Sequence, residues 1–252
     1  MRSNQKTALM QTLTKTLIIS FFTLSVVFAQ TQLGSDIDGE AISDYSGYSV
    51  SLSSDGNRVA IGAYGNDGGG TNAGHVRVYN YNGTTWTQKG SDIDGEAGND
   101  RSGWSVSLSS DGSRVAIGAP ENDGTGIYGS NSGHIRVYNY SGGSWTQLGN
   151  DIDGEYDGDN AGWSVSLSSD GNRVAIGAPY NDGNGNWSGH VRVYNWGGSS
   201  WTQLGSDIDG EAAHDQSGHS VSLSSDGSRV AIGAKYNDGN VTSYRPGHVR
   251  VY

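Results

Sequence analysis

Acidic side chains recur in this chain at a spacing that suggests cation chemistry. Asp36-Ile37-Asp38-Gly39-Glu40 places three carboxylates within five residues, and the run returns from Asp92, Asp151 and Asp207. A calcium ion needs six to eight oxygens around it, so three acids beside a glycine satisfy only part of such a shell. The favoured reading is solvated loop carboxylates, or ion pairs to arginines that repeat in step with them, over a metal site. Asn66-Asp67-Gly68 also recurs, and an Asx-type turn accounts for it. His75, His134, His190 and His248 each open one copy of a Gly-His-(Val/Ile)-Arg-Val-Tyr run. Serines and aspartates abound, but no nucleophile elbow is present, and identical copies would imply identical active sites. These histidines therefore read as structural, and neither a catalytic residue nor a metal ligand is assigned.

The aromatic residues divide in the same way. Tyr48, Trp104, Trp163 and His219 share one repeat position, in phase with Val50 and Leu52, and are expected to pack in the core. Tyr128, Trp187 and the pair Tyr244-Arg245 occur only once each, in segments of unequal length. Exposed aromatic rings stack on sugars or anchor protein partners. Those four residues are the candidate ligand-binding positions.

The elements that must position these residues follow from the repeat. The acidic runs are spaced by 56, 59 and 56 residues, a period that marks a solenoid, a propeller or an array. Each unit holds four runs of period-two alternation: strand a at 48–53, b at 58–63, c at 75–79 and d around Trp86-Thr87-Gln88. Asp55-Gly56 and Asn82-Gly83 supply the a–b and c–d turns, since both dipeptides tolerate positive φ. Strand a is bulky on one face (Tyr48, Val50, Leu52) and lined with serine on the other. That asymmetry suits sheets stacked with the large side of one on the small side of the next. The expected fold is all-β, a β-propeller of four-stranded antiparallel blades, with a parallel β-helix as its rival. Only the b–c loops vary in length, and variation on a rigid frame is where binding concentrates.

Gly47-Tyr48-Ser49-Val50 followed by Gly62-Ala63, with the fuller Gly118-Ala119-Pro120 and Gly177-Ala178-Pro179, resembles the FG-GAP repeat. That repeat builds the propellers of integrin α-subunits and of many secreted bacterial proteins, and the resemblance spans 31–252. It implies an extracellular binding or adhesion role. Calcium-binding members carry several carboxylates between strands a and b. This chain has only Asp55, Asp111, Asp170 and Asp226 there, so the calcium role is not carried over and no cofactor is expected.

Composition bounds the rest. Arg2, Lys6 and Lys15 precede an apolar run from Leu17 to Ala29, the plan of a signal peptide over 1–29, with the propeller following over 30–252. The run is too short to span a bilayer, which needs about 20 apolar residues. Beyond it, 12 basic residues face 26 acidic ones, a balance that disfavours nucleic acid. There is no cysteine, which removes thiolate metal sites and thiol catalysis. Thr31-Gln32-Leu33-Gly34 matches the start of a strand d that the fourth unit lacks. The expectation is an open arc or a ring closed by that segment. In function the chain reads as a secreted, non-enzymatic module for a glycan or protein ligand. The alternatives are a carbohydrate-active hydrolase or lyase and a passive structural array.

Overall fold

The computed structural model describes residues 31–124, 130–239 and 245–252. The expected signal peptide over 1–29 lies outside these residues. Gly34–Tyr252 form one unit; Thr31–Leu33 belong to the preceding one and carry no strand. Among the described residues there is no helix, and so none long and apolar enough to cross a membrane.

The first sheet comprises β1 (Ser49–Leu52), β2 (Arg58–Ala63), β3 (His75–Tyr81), β4 (Trp86–Gln88) and β5 (Ile93–Asp94). The second repeats them as β6 (Ser105–Leu108), β7 (Arg114–Ala119), β8 (His134–Ser141), β9 (Ser144–Gln147) and β10 (Ile152–Asp153). The third has β11 (Ser164–Leu167), β12 (Arg173–Ala178), β13 (His190–Trp196), β14 (Trp201–Gln203) and β15 (Ile208–Asp209). The fourth has β16 (Ser217–Leu223), β17 (Val230–Ala234) and β18 (His248–Val251). All pairings within the sheets are antiparallel, and the four sheets are the blades of a β-propeller.

One element departs from the sequence reading. Ile93–Asp94, read above as part of a loop, pairs with His75 and Val76 on β3, while β4 pairs with Tyr79, Asn80 and Tyr81 further along the same strand. The fourth strand of the blade is thus laid down in two pieces, β4 and β5. The middle of the Asp-Ile-Asp-Gly-Glu run is thereby fixed against the start of β3. Two residues are too few to display a period, which is why alternation missed them.

The blades stack as the asymmetry of strand a requires. Ala60, Val76 and Val78 of the first blade meet Leu108, Val115 and Ile117 of the second, all buried, with Val106 packed against them. Equivalent layers join the second blade to the third and the third to the fourth. Serines on the small face bind backbone across each junction. Ser51 Oγ accepts from Leu108 N at 2.9 Å, Ser107 Oγ from Leu167 N at 2.9 Å and Ser166 Oγ from Leu223 N at 3.0 Å. The two outermost faces remain open. Val50 and Leu52 are 63% and 61% exposed on the first blade, and Val249 and Val251 are 68% and 65% exposed on the last.

Candidate functional site

Strand a begins, and strand b ends, at the same end of each blade, because Ser49 pairs with Gly62. Residues just outside that pair project beyond the sheet, onto the face built from the b–c and d–a connections. Tyr48 stands there in the first blade, Trp104 in the second and Trp163 in the third; their counterpart in the fourth, His219, lies within β16, at the irregularity between Ser217 and Ser220. They were expected in the core, and the structure corrects this. Tyr48 is exposed and the other three are half-buried. The alternation runs on past the last paired residue, where the neighbouring blade no longer covers it.

These rings form a continuous row across the blades. Centroids lie 4.8 Å apart for Tyr48–Trp104, 4.8 Å for Trp104–Trp163 and 5.8 Å for Trp163–His219. Residues opening the b–c loops join its flank. Tyr64 stacks on Tyr45 at 5.0 Å and meets Tyr48 edge-on at 4.6 Å, and Tyr180 meets Trp163 edge-on at 5.5 Å. Arg101 lies 5.7 Å from the Tyr64 ring centroid and 5.9 Å from that of Trp104, and is held by Glu121 at 2.9 Å. Spacings of 4.5–7 Å with tilted or edge-on planes are the favoured arrangements of aromatic pairs. The row is an apolar strip bordered by the Arg101 guanidinium and the rings of Tyr64 and Tyr180.

Of the predicted binding residues, Trp187 joins this assembly. It is 47% exposed, edge-on to Tyr180 at 5.9 Å and to His214 at 5.7 Å, and its backbone N–H donates to Asp182 Oδ1 at 2.7 Å. Arg245 stands over Tyr236, 5.0 Å from the ring centroid, with Lys235 at 4.7 Å from the same centroid. Tyr128 and Tyr244 lie outside the described residues.

The repeated polar residues resolve into separate roles. Asn66 Oδ1 accepts from Gly68 N at 2.8 Å, the expected Asx turn, and Asn66 Nδ2 donates to buried Asp44 at 3.1 Å. Arg77, Arg136, Arg192 and Arg250 pair with Glu40, Glu96, Glu155 and Glu211 at 3.2–3.7 Å, as their shared periodicity suggested. Two other arginines of the repeat bind backbone of the neighbouring blade. Arg114 and Arg173 donate to the carbonyls of Gly171 and Gly227 in the a–b turn of the next blade, at 3.0 and 2.9 Å.

The histidines of β3, β8 and β13 are buried, and each faces two acidic runs. His75 Nδ1 lies 3.9 Å from Glu40 Oε2 and 3.7 Å from Asp92 Oδ2. Burial holds the His134 and His190 side chains neutral, with pKa values lowered to about 4, against the opposing pull of Asp151 and Asp207. His75 shifts down for the same first cause.

The a–b turns do not fit the calcium site of the resembling family. Asp55 accepts from Ser53 Oγ at 2.6 Å, Asn57 N at 3.0 Å and Asn57 Nδ2 at 3.1 Å, so its one carboxylate is committed to closing the turn. Asp170 and Asp226 are held alike by Ser168 and Ser224. Shallow clefts of about 300 and 360 Å³ lie beside Trp201 and Trp86, and neither includes a residue of the aromatic row.

Residues 35–79 match the FG-GAP repeat. That span holds β1, β2 and most of β3, and the following units restate its residues. No curated protein is matched by the sequence. Among solved structures, the chain is similar to the hydrazine synthase of Kuenenia stuttgartiensis, at 12% identity and a TM-score of 0.51, covering 86% of this chain and 49% of that one. It is also similar to a putative 6-phosphogluconolactonase from Bacteroides uniformis, at 10% identity and a TM-score of 0.49, covering 81% of this chain and 56% of that one. The chain thus spans about half the length of each. At such identities the first likeness speaks to the propeller fold alone. The propeller fold together with the FG-GAP match over residues 35–79 supports a binding or structural role.

Proposed function

We propose that this FG-GAP propeller is an exported, non-enzymatic binding module that takes a carbohydrate chain along its aromatic row. The observation that carries the reading is the run Tyr48–Trp104–Trp163–His219, one ring per blade, exposed at Tyr48 and half-exposed at the other three, where the apolar positions between blades, such as Leu108, Val115, Leu167 and Val174, are buried. Sugar rings present apolar faces edged with hydroxyls, which suits a strip of tilted rings bordered by Arg101, Tyr64 and Tyr180. Trp187 and Arg245 extend the same loop face. An active site needs unlike groups converging on one point, whereas the acids of this chain are dispersed as equivalent copies. Export rests on the basic and apolar pattern of residues 1–29.

The test is a glycan array probed with the purified chain, followed by titration of the selected oligosaccharide against Trp104→Ala, Trp163→Ala and Trp187→Ala. Loss of one stacking ring is expected to weaken binding about tenfold, on the order of 1.4 kcal/mol. Unchanged affinity in all three variants, with the fold retained, would reject the row as the site.

A further inference from the structure

From the way consecutive Asp-Ile-Asp-Gly-Glu runs grip each buried histidine, we infer three equivalent divalent-cation sites, Glu40–His75–Asp92, Glu96–His134–Asp151 and Glu155–His190–Asp207. In each, one nitrogen and two carboxylate oxygens lie within 4.8 Å of one another. The glutamate closes the run preceding the histidine and the aspartate opens the run following it. Each site therefore spans one full repeat, and no single motif contains it.

More than acidity marks these clusters. The histidine side chains are only 2% exposed, and their Nδ1 atoms aim at carboxylates 3.6–4.0 Å away, beyond direct hydrogen-bond reach. The two oxygens of each acid are divided between roles. Gln147 Nε2 donates to Asp151 Oδ1 at 2.6 Å while Asp151 Oδ2 faces His134 at 3.6 Å. Gln203 and Asp207 repeat this with 2.6 and 3.8 Å, and Gln88 holds Asp92 Oδ1 in the same way. On the other side, Arg77 Nη1 takes Glu40 Oε1 at 3.2 Å and leaves Oε2 to His75, and Arg192 leaves Glu155 Oε2 to His190. Outer-shell donors that fix one oxygen and turn the other inward are the usual supports of metal ligands.

The donor set selects the ion. One imidazole and two carboxylates suit Zn²⁺ or Mn²⁺, whereas calcium takes oxygen ligands. With bonds of about 2.1 Å, tetrahedral ligands stand about 3.4 Å apart, closer than the 3.6–4.0 Å of the histidine–carboxylate pairs and the 4.8 Å that bounds each cluster, so the acids must close in. The acids can make that movement, being 23–48% exposed on their side chains while the histidines stay fixed. Two carboxylates against one guanidinium leave each cluster at net −1, so a divalent ion improves its balance. Among the described residues His248 faces one acid, Glu211 at 3.6 Å, and no second carboxylate, so it serves as an internal control.

Isothermal titration of the full chain with Zn²⁺, and separately Mn²⁺, tests the inference. Three equivalents per chain are expected, falling by one in each of Asp92→Asn, Asp151→Asn and Asp207→Asn, and staying at three in His248→Asn. X-ray absorption of the zinc-loaded chain should show imidazole nitrogen in the coordination sphere, and Ca²⁺ should not compete. The asparagine variants keep the donors' geometry, and unchanged melting of their metal-free forms confirms the fold. Absence of saturable binding, a stoichiometry insensitive to the aspartate changes, or a sphere of oxygens alone would overturn it.

Discussion

Ser49 donates its hydroxyl to the backbone carbonyl of Gly103, 2.7 Å away in the next blade. Ser105 and Gly162, then Ser164 and Gly218, repeat the bond at 2.7 and 2.8 Å. A side chain reaches backbone across the junction because the residue paired with each serine is a glycine. A Cβ on Gly118 would sit 2.1 Å from the Gly162 oxygen, and one on Gly177 2.0 Å from the Gly218 oxygen.

Gly118→Ala and Gly177→Ala are accordingly expected to force the blades apart, costing about 3 kcal/mol or more, the upper range of core overpacking. Gly233→Ala, at the same position of the last blade, meets only the side chain and carbonyl of Ser220 and should cost far less. Urea denaturation of the three variants checks this. Equal losses would mean that the contact within the blade, and not the junction, sets the cost.

A second pair of variants tests the open outer face. Leu167 is 7% exposed against the second blade, whereas Leu52, its counterpart, is 61% exposed on the first. Leu167→Ala should destabilise by about 2–5 kcal/mol, while Leu52→Ala should stay within about 0.5 kcal/mol. A large loss from Leu52→Ala in a monomeric sample would show that the first blade's face is covered in solution.

The period of the carboxylates and the two-faced strand a were enough to anticipate blades, their order and the way they stack, because each is a local pattern repeated in step. Two features were not legible. Tyr48, Val50 and Leu52 are in phase, so alternation groups them as one face; only the register Ser49–Gly62 reveals that Tyr48 falls beyond the sheet. The meeting of Glu40, His75 and Asp92 was equally hidden. Glu40 and Asp92 lie 35 and 17 residues from His75, and the sequence shows them as separate motifs. Pairing of β5 with the first residues of β3 brings the second run to the histidine. The unequal b–c loops lie on the face that carries the aromatic row, and Trp187 joins there a row made mostly of repeated positions.

The a–b turns should set part of the acid sensitivity. The Ser53 hydroxyl, then Asn57, holds the Asp55 carboxyl down at about 2, and Asp170 and Asp226 are lowered by the same kind of bonds, from Ser168 and Ser224 first. A carboxyl depressed in the folded state contributes stability above its unfolded value, near 3.8, and that contribution disappears as pH falls toward the folded value. Stability is therefore expected to decline between about pH 4 and pH 2. Ser53→Ala should raise the Asp55 value and flatten that limb. A carboxyl-detected NMR titration placing Asp55 near 3.8 in the unmodified chain would refute the assignment.

The aromatic row makes the final prediction, because a core ring and a surface ring differ in what their removal costs. Trp104 contacts Tyr48, Tyr64 and Trp163 within 5.2 Å between centroids, but half-buried it keeps one side in solvent. A fully buried Trp replaced by Ala costs about 3–5 kcal/mol. Trp104→Ala gives up three ring pairs and part of its burial, and the expected loss is about 1–2 kcal/mol. Trp163→Ala should behave alike, since its partners are Trp104, Tyr180 and His219. The double variant should lose less than the sum, because the Trp104–Trp163 pair is counted in both single changes. Thermal and urea unfolding of the three variants checks each figure. A loss above about 3 kcal/mol from either single change would return this position to the core, and the row would then be a structural spine with no strip left for a ligand.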